Sequence, residues 1–347
     1  MSWNVESLKH RLDELAARST NLKNDQERLA LNTDIYFLKT MLNFKCNSET
    51  FPINQGEDCF KIIDTSSYEG MIKFLQTEGP ELAFKLCCFA GCRINNINLF
   101  PRRINNQDAH LLLLDFFQQF DTSLLDLYLQ CIKENRIEYG TEPFGSPSCQ
   151  GRCFPMLCDS SSYIYTINKN RVYDLSVVCH ELAHAKQFQN VSDIFVYQKQ
   201  LSSVLSEAYP LFVQLCFYDY IKDTKYKTES DKNIADMLDT FFLYIEYKLN
   251  SLYHIKEASY GPSGNLSYQG FARNAEMIEL ILSNLFAFYW FSIYLNNPQE
   301  AISQVNIFNE NFKSSSFEEL YNLVGADKLI VGTKETICNY KRRNLKK

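Results

Sequence analysis

Val177-Val178-Cys179-His180-Glu181-Leu182-Ala183-His184-Ala185 is the stretch on which the reading of this chain turns. Histidines four apart on an α-helix lie on one face, so His180 and His184 can both offer an imidazole nitrogen to a single metal ion. Glu181 leaves the helix at another angle. It does not ligate that ion but reaches a water bound to it, and is placed to take the proton of that water, whose pKa zinc lowers towards ~7. The flanks Val177, Val178, Leu182 and Ala183 are apolar, as a buried helix requires. Lys186 departs from this pattern, because a buried helix more often carries an apolar residue there.

A catalytic zinc takes three protein ligands and keeps one position open. A pattern ending in a third histidine is excluded, since the positions three and six beyond His184 are Gln187 and Asn190. The favoured third ligand is Glu207, 23 residues on (207 − 184). That distance lets the first helix end near Asn190, the chain turn, and a second helix return a carboxylate to the metal. Asp193 is the rival, but it falls directly after the helix and needs a tight reversal.

Composition bounds the rest. A chain of 347 residues, 46% hydrophobic and 22% charged, belongs to the soluble globular class and can bury one large core or two. The formal net charge of −6 leaves no excess of Lys and Arg to neutralise phosphates, which excludes nucleic acid as the main partner. No apolar run reaches the ~18–20 residues of a transmembrane helix, and the N-terminal residues lack the apolar stretch of a signal peptide. The expected compartment is the cytoplasm, with signal-independent export, as bacterial effectors use, the alternative. Most of the 12 cysteines, such as Cys87, Cys88 and Cys179, sit in apolar contexts and read as buried thiols. Cys149, Cys153 and Cys158 cluster within ten residues and leave plain thiols, a disulfide or a structural zinc open.

Working outward, the fold class is mainly α with a small β-sheet. Residues 1–140 form a helical N-terminal region: Leu8, Leu12 and Leu15 mark one helix, Leu29, Leu31 and Leu38 a second, and residues 108–136 a thickly apolar hairpin. His110 opens that hairpin and reads as a surface or cap histidine. Residues 141–162, rich in Gly, Pro, Ser and Cys, mark a boundary. Tyr163 to Asn168 alternate as a strand just before the metal helix, where an extended peptide could pair with a sheet edge. Residues 163–335 form the domain that carries the metal helix, with further helices over 201–221, 231–256, 272–296, 298–312 and 316–323. The basic stretch 336–347 reads as a tail, frayed from Lys341 onward. Between two of these helices lies a Gly-, Pro- and Ser-rich loop with His254, Tyr260 and Tyr268. Such groups can stabilise an oxyanion, so they are the candidate catalytic partners of Glu181.

The His180-Glu181-Leu182-Ala183-His184 motif with Glu207 resembles the gluzincin metallopeptidases, and is most similar to the thimet oligopeptidase and oligoendopeptidase F family. The resemblance covers roughly residues 160–330. It implies a zincin-type metallopeptidase fold with an active-site helix and a glutamate-bearing second helix. It further implies one Zn2+ held by His180, His184 and Glu207, and hydrolysis of peptide or protein substrates. His254, Tyr260 and Tyr268 occupy a stretch comparable to the family's substrate-binding loop. Two departures stand out: family members are longer, and they usually have glycine where Ala183 stands. A catalytically inactive zincin scaffold used for protein binding is the alternative.

Overall fold

The computed structural model describes residues 3–19, 25–47, 65–94, 102–145, 149–189, 205–253, 268–312 and 314–345. In chain order its elements are α1 (Val5–Ser19), α2 (Asp25–Cys46), α3 (Thr65–Leu86), α4 (Asn106–Phe120), α5 (Thr122–Lys133), β1 (Ile137–Gly140), β2 (Gly151–Met156), β3 (Ser161–Ile167) and α6 (Val172–Phe188). They continue with α7 (Ala208–Ile221), α8 (Lys227–Tyr253), α9 (Tyr268–Tyr294), α10 (Pro298–Phe312), α11 (Phe317–Asn322) and α12 (Ala326–Leu345). The fold is therefore mainly α with one small sheet. No helix among the described residues is long and apolar enough to cross a membrane. Two compact units alternate along the chain: Met1–Ile63 with Arg103–Lys199, and Asp64–Arg102 with Gln200–Lys347.

In the first unit the sheet order is β1-β3-β2, with β3 central, parallel to β1 and antiparallel to β2. Side chains alternate across a strand, so the two faces of β2 have different neighbours. Phe154 joins Trp3, Phe37, Phe144 and Tyr165 in a core that also takes the buried leucines Leu8, Leu12, Leu15, Leu31 and Leu38 of the α1–α2 hairpin. Gly151 instead faces α6, which packs against β2 and β3. The leucines are buried because their three- and four-residue spacing puts them on one stripe of each helix.

The β1 margin is tied down from the N-terminus. Trp3 donates through its backbone N–H to Glu138 Oε2 at 2.6 Å and through Nε1 to the Arg136 carbonyl at 3.1 Å. Lys45 pairs with the other Glu138 oxygen at 2.6 Å. The turn that joins β2 to β3 is held from α2: the buried Asp34 carboxyl accepts the backbone N–H groups of Leu157 at 2.8 Å and Cys158 at 2.9 Å. Burial pushes that carboxyl up to about 6, against the lowering effect of the two N–H donors.

In the second unit α9 is the central helix, packed by α7, α8, α10 and α12. Helix α7 is apolar on every side, and nearly all its residues are buried, as a core helix requires. Phe286, Trp290 and Phe308 interlock within 5.4 Å of one another by ring centroid.

Two expectations from sequence need correction. The residues read as a frayed tail continue α12 as far as Leu345, because Arg343 is drawn in by Asp231 at 3.0 Å, Asp219 at 3.4 Å and the Ser230 hydroxyl at 2.9 Å. Cys87 and Cys88 are exposed rather than buried, since they sit in the 3₁₀ turn that ends α3; Cys179 is buried as expected. Residues 141–162, whose composition reads as a boundary, contain β2.

Candidate metal centre

The helix that carries the motif is fixed at both ends. At its start Asp174 accepts the backbone N–H of Lys169 at 2.7 Å and of Arg171 at 2.9 Å, satisfying donors that a helix N-terminus would leave bare. The negative charge there also complements the helix dipole. Near its end Lys186 forms a close ion pair with Asp121, the N-cap of α5. Burial alone would raise the Asp121 carboxyl, but the Lys186 ammonium and the Ser123 donors hold it below the usual carboxylate value. Lys186 is thus half-buried for a reason that lies in α5, which no reading of α6 alone supplies.

Between these anchors the four-residue spacing acts as expected. The His180 and His184 rings stand 4.9 Å apart by centroid at 77° to each other, and His184 stacks on Phe188 at 6.5 Å. Glu207 is the residue immediately before α7. One ligand atom each from His180, His184 and Glu207 lies within 4.8 Å of the other two. Two imidazoles and a carboxylate at this separation match the donor set of a three-ligand zinc site. Among the described residues no other group of three His, Cys, Asp or Glu side chains gathers in this way.

Glu181 is buried, 6% exposed, and packs beneath β2. A Cβ built on Gly151 would stand 2.6 Å from Glu181 Oε1 and 2.5 Å from Val177 Cγ1, so only glycine allows the strand this close to the helix. The sequence pointed to Gly151 only as part of a cysteine-rich boundary. A glycine inside a strand often marks a close backbone approach, but that signal is readable only once the strand is known.

Cys149, Cys153 and Cys158 are free thiols, which removes the disulfide expected as one option. They take no part in a described three-ligand cluster either. Burial pushes the Cys149 and Cys153 thiols up, and the nearby Glu181 carboxylate adds to that, so both are kept neutral. His110, expected at the surface or as a cap, is half-buried and shares a hydrogen bond with the Tyr128 hydroxyl at 3.0 Å, while Asn105 caps α4. His254, Tyr260 and Asp193 lie outside the described residues. Tyr268 is the first residue of α9, and its side chain is outside them too.

No family model matches the chain. No curated protein matches its sequence significantly. Solved structures do share its fold. One titled PZ peptidase A with inhibitor 2 superposes with a TM-score of 0.50 at 14% identity, over 96% of this chain and 69% of its own. A Bacillus anthracis str. Ames protein assigned as an oligoendopeptidase F superposes with a TM-score of 0.51 at 13% identity, over 92% of this chain and 64% of its own. The chain therefore has the fold of oligoendopeptidase-type peptidases, and spans about two thirds of their length.

Proposed function

We propose that this protein is a zinc metallopeptidase that hydrolyses peptide bonds, with His180, His184 and Glu207 as the metal ligands. The observation that carries the reading is the convergence of those three ligand atoms within 4.8 Å beside the buried Glu181. The shared peptidase fold is consistent with it. Zinc held there supplies Lewis acidity, polarising a carbonyl and bringing the pKa of a water towards ~7.

Glu181 then acts as the general base and acid. Its carboxylate takes a proton from the attacking water and returns it to the departing amine nitrogen, so the peptide C–N bond breaks with no net proton change at Glu181. Packing under the β2 backbone fixes that carboxylate in one place, which a proton transfer over hydrogen-bond distance requires. An extended substrate lies along the outer margin of β2, where main-chain hydrogen bonds hold it regardless of side chain. His254, Tyr260 or Tyr268, the polar groups of the Gly-, Pro- and Ser-rich loop, stabilises the oxyanion.

The test is Glu181→Gln, assayed on a quenched fluorescent peptide library with metal content measured in parallel. Turnover falls by about 10²–10⁴, the usual share of a general base, while metal content is unchanged. Turnover at the wild-type rate in that variant rules the mechanism out. A wild type that binds zinc but cleaves no peptide leaves the inactive scaffold instead.

A further inference from the structure

Among the described residues β2 is an edge strand, and its hydrogen-bonding pattern shows which residues it turns outward. The Gln150 carbonyl accepts the Ile167 N–H at 2.9 Å, so Gln150, Arg152 and Phe154 direct their backbone groups towards β3. The alternate residues Gly151 and Cys153 direct theirs to the outer margin, where the Gly151 carbonyl also accepts the Cys149 thiol at 3.1 Å and keeps its second lone pair, and Pro155, with no N–H, limits the donors at the far end. A peptide pairing antiparallel there bonds to Gly151 and Cys153. The peptide residue opposite Arg152 then occupies a non-hydrogen-bonded pair, the kind in which facing Cα atoms are only about 4.5 Å apart.

Arg152 is built for that position. Its side chain is exposed, and its guanidinium is propped over the rings of Phe144 at 5.8 Å and Phe154 at 5.4 Å, which are themselves 5.1 Å apart in the core. Among the described residues no carboxylate pairs with it. A guanidinium held on aromatic rings keeps its planar fork of donors, and that fork fits a carboxylate with two parallel hydrogen bonds. The charge is locally specific, because the chain as a whole carries −6.

We propose that Arg152 selects peptides with an aspartate or glutamate side chain, by pairing with the substrate residue that lies across from it on β2. This rests on the peptidase reading above and names its substrate class. Arg152 sits one residue from Gly151, which touches Glu181, so the selected acidic residue lies close to the scissile bond.

The experiment uses fluorescent peptides of one sequence, blocked at both ends or free at the C-terminus, with Glu, Gln or Lys placed in turn at each position flanking the cleavage site. Wild type favours Glu over Gln at one position by about three- to five-fold in kcat/KM, the scale of an opposite-charge cross-strand pair. Arg152→Gln abolishes that ratio and Arg152→Glu turns it into a preference for Lys, with thermal melting confirming that both variants fold. The same peptides are titrated against zinc-loaded Glu181→Gln protein by fluorescence anisotropy, which reads binding without turnover. Discrimination in binding without cleavage by wild type upholds the Arg152 assignment and sinks the peptidase reading alone. Cleavage with an unchanged Glu/Gln ratio in Arg152→Gln overturns the assignment, as does a preference confined to unblocked C-terminal carboxylates. No peptide binding at all overturns both.

Discussion

The two margins of the sheet are treated in opposite ways. β1 is anchored: Trp3 donates to the Arg136 carbonyl and the Glu138 carboxylate, and Lys45 occupies the remaining Glu138 oxygen. β2 presents Gly151 against Glu181 on one face and on the other Arg152, which pairs with no carboxylate among the described residues. An exposed sheet margin is a liability for aggregation, and proteins blunt it with charge, proline or a covering segment. Here the N-terminal segment anchors β1, while β2 carries a charge at Arg152 and a proline at Pro155. On the proposed mechanism, the strand left without such an anchor is the one that lies beside Glu181, the residue proposed as general base.

That contrast can be broken from the anchored side first. Trp3→Ala removes a buried indole that touches Phe154, Tyr163 and Tyr165, and costs about 3–5 kcal/mol. At about 2–4 °C per kcal/mol for a body of this size, thermal melting of the first unit shifts by roughly 6–20 °C. A shift of a degree or less would show that Trp3 does not hold the β1 margin.

On the β2 side Gly151→Ala forces a methyl into Val177 and Glu181. Overpacking of this kind costs about 1–3 kcal/mol, and the displaced Glu181 carboxylate lowers kcat more than KM. Metal content stays at the wild-type value, because His180, His184 and Glu207 are untouched. Unaltered kcat in a folded variant would remove Gly151 as the element that positions Glu181.

The smallest effect sharpens the comparison at the far end of β2. Asp34 titrates at about 6 in the folded chain, above the ordinary 3.8, because it is buried. The folded state therefore favours the protonated form, and this contribution to stability is complete below about 3.8 and is lost as pH rises through about 6. In denaturant titrations between those values, the difference between wild type and Asp34→Asn falls with pH. A difference independent of pH would mean that Asp34 is not perturbed.

Much of this was legible in the sequence where the signal is local. The spacing of His180 and His184 and the leucine stripes of α1 and α2 depend on helical period alone, and the structure follows them. β2 was not legible, because Gly151 and Pro155 are turn-forming residues and only pairing with β3 makes that segment a strand. The end of α12 was misread because the partners that hold Arg343, namely Asp219 and Asp231, are more than a hundred residues away. Lys186 looked anomalous for the same reason, its partner Asp121 lying on another helix. The position of Glu207 followed from chain length between helices, but its approach to the two histidines is a tertiary fact.

The most direct measurement is zinc content by elemental mass spectrometry for wild type and Glu207→Ala. About one zinc per wild-type chain is expected, with loss or marked weakening in the variant, since removing one of three ligands leaves two imidazoles. No zinc in wild type after reconstitution, or an unchanged zinc affinity in Glu207→Ala, would contradict the proposed ligand set.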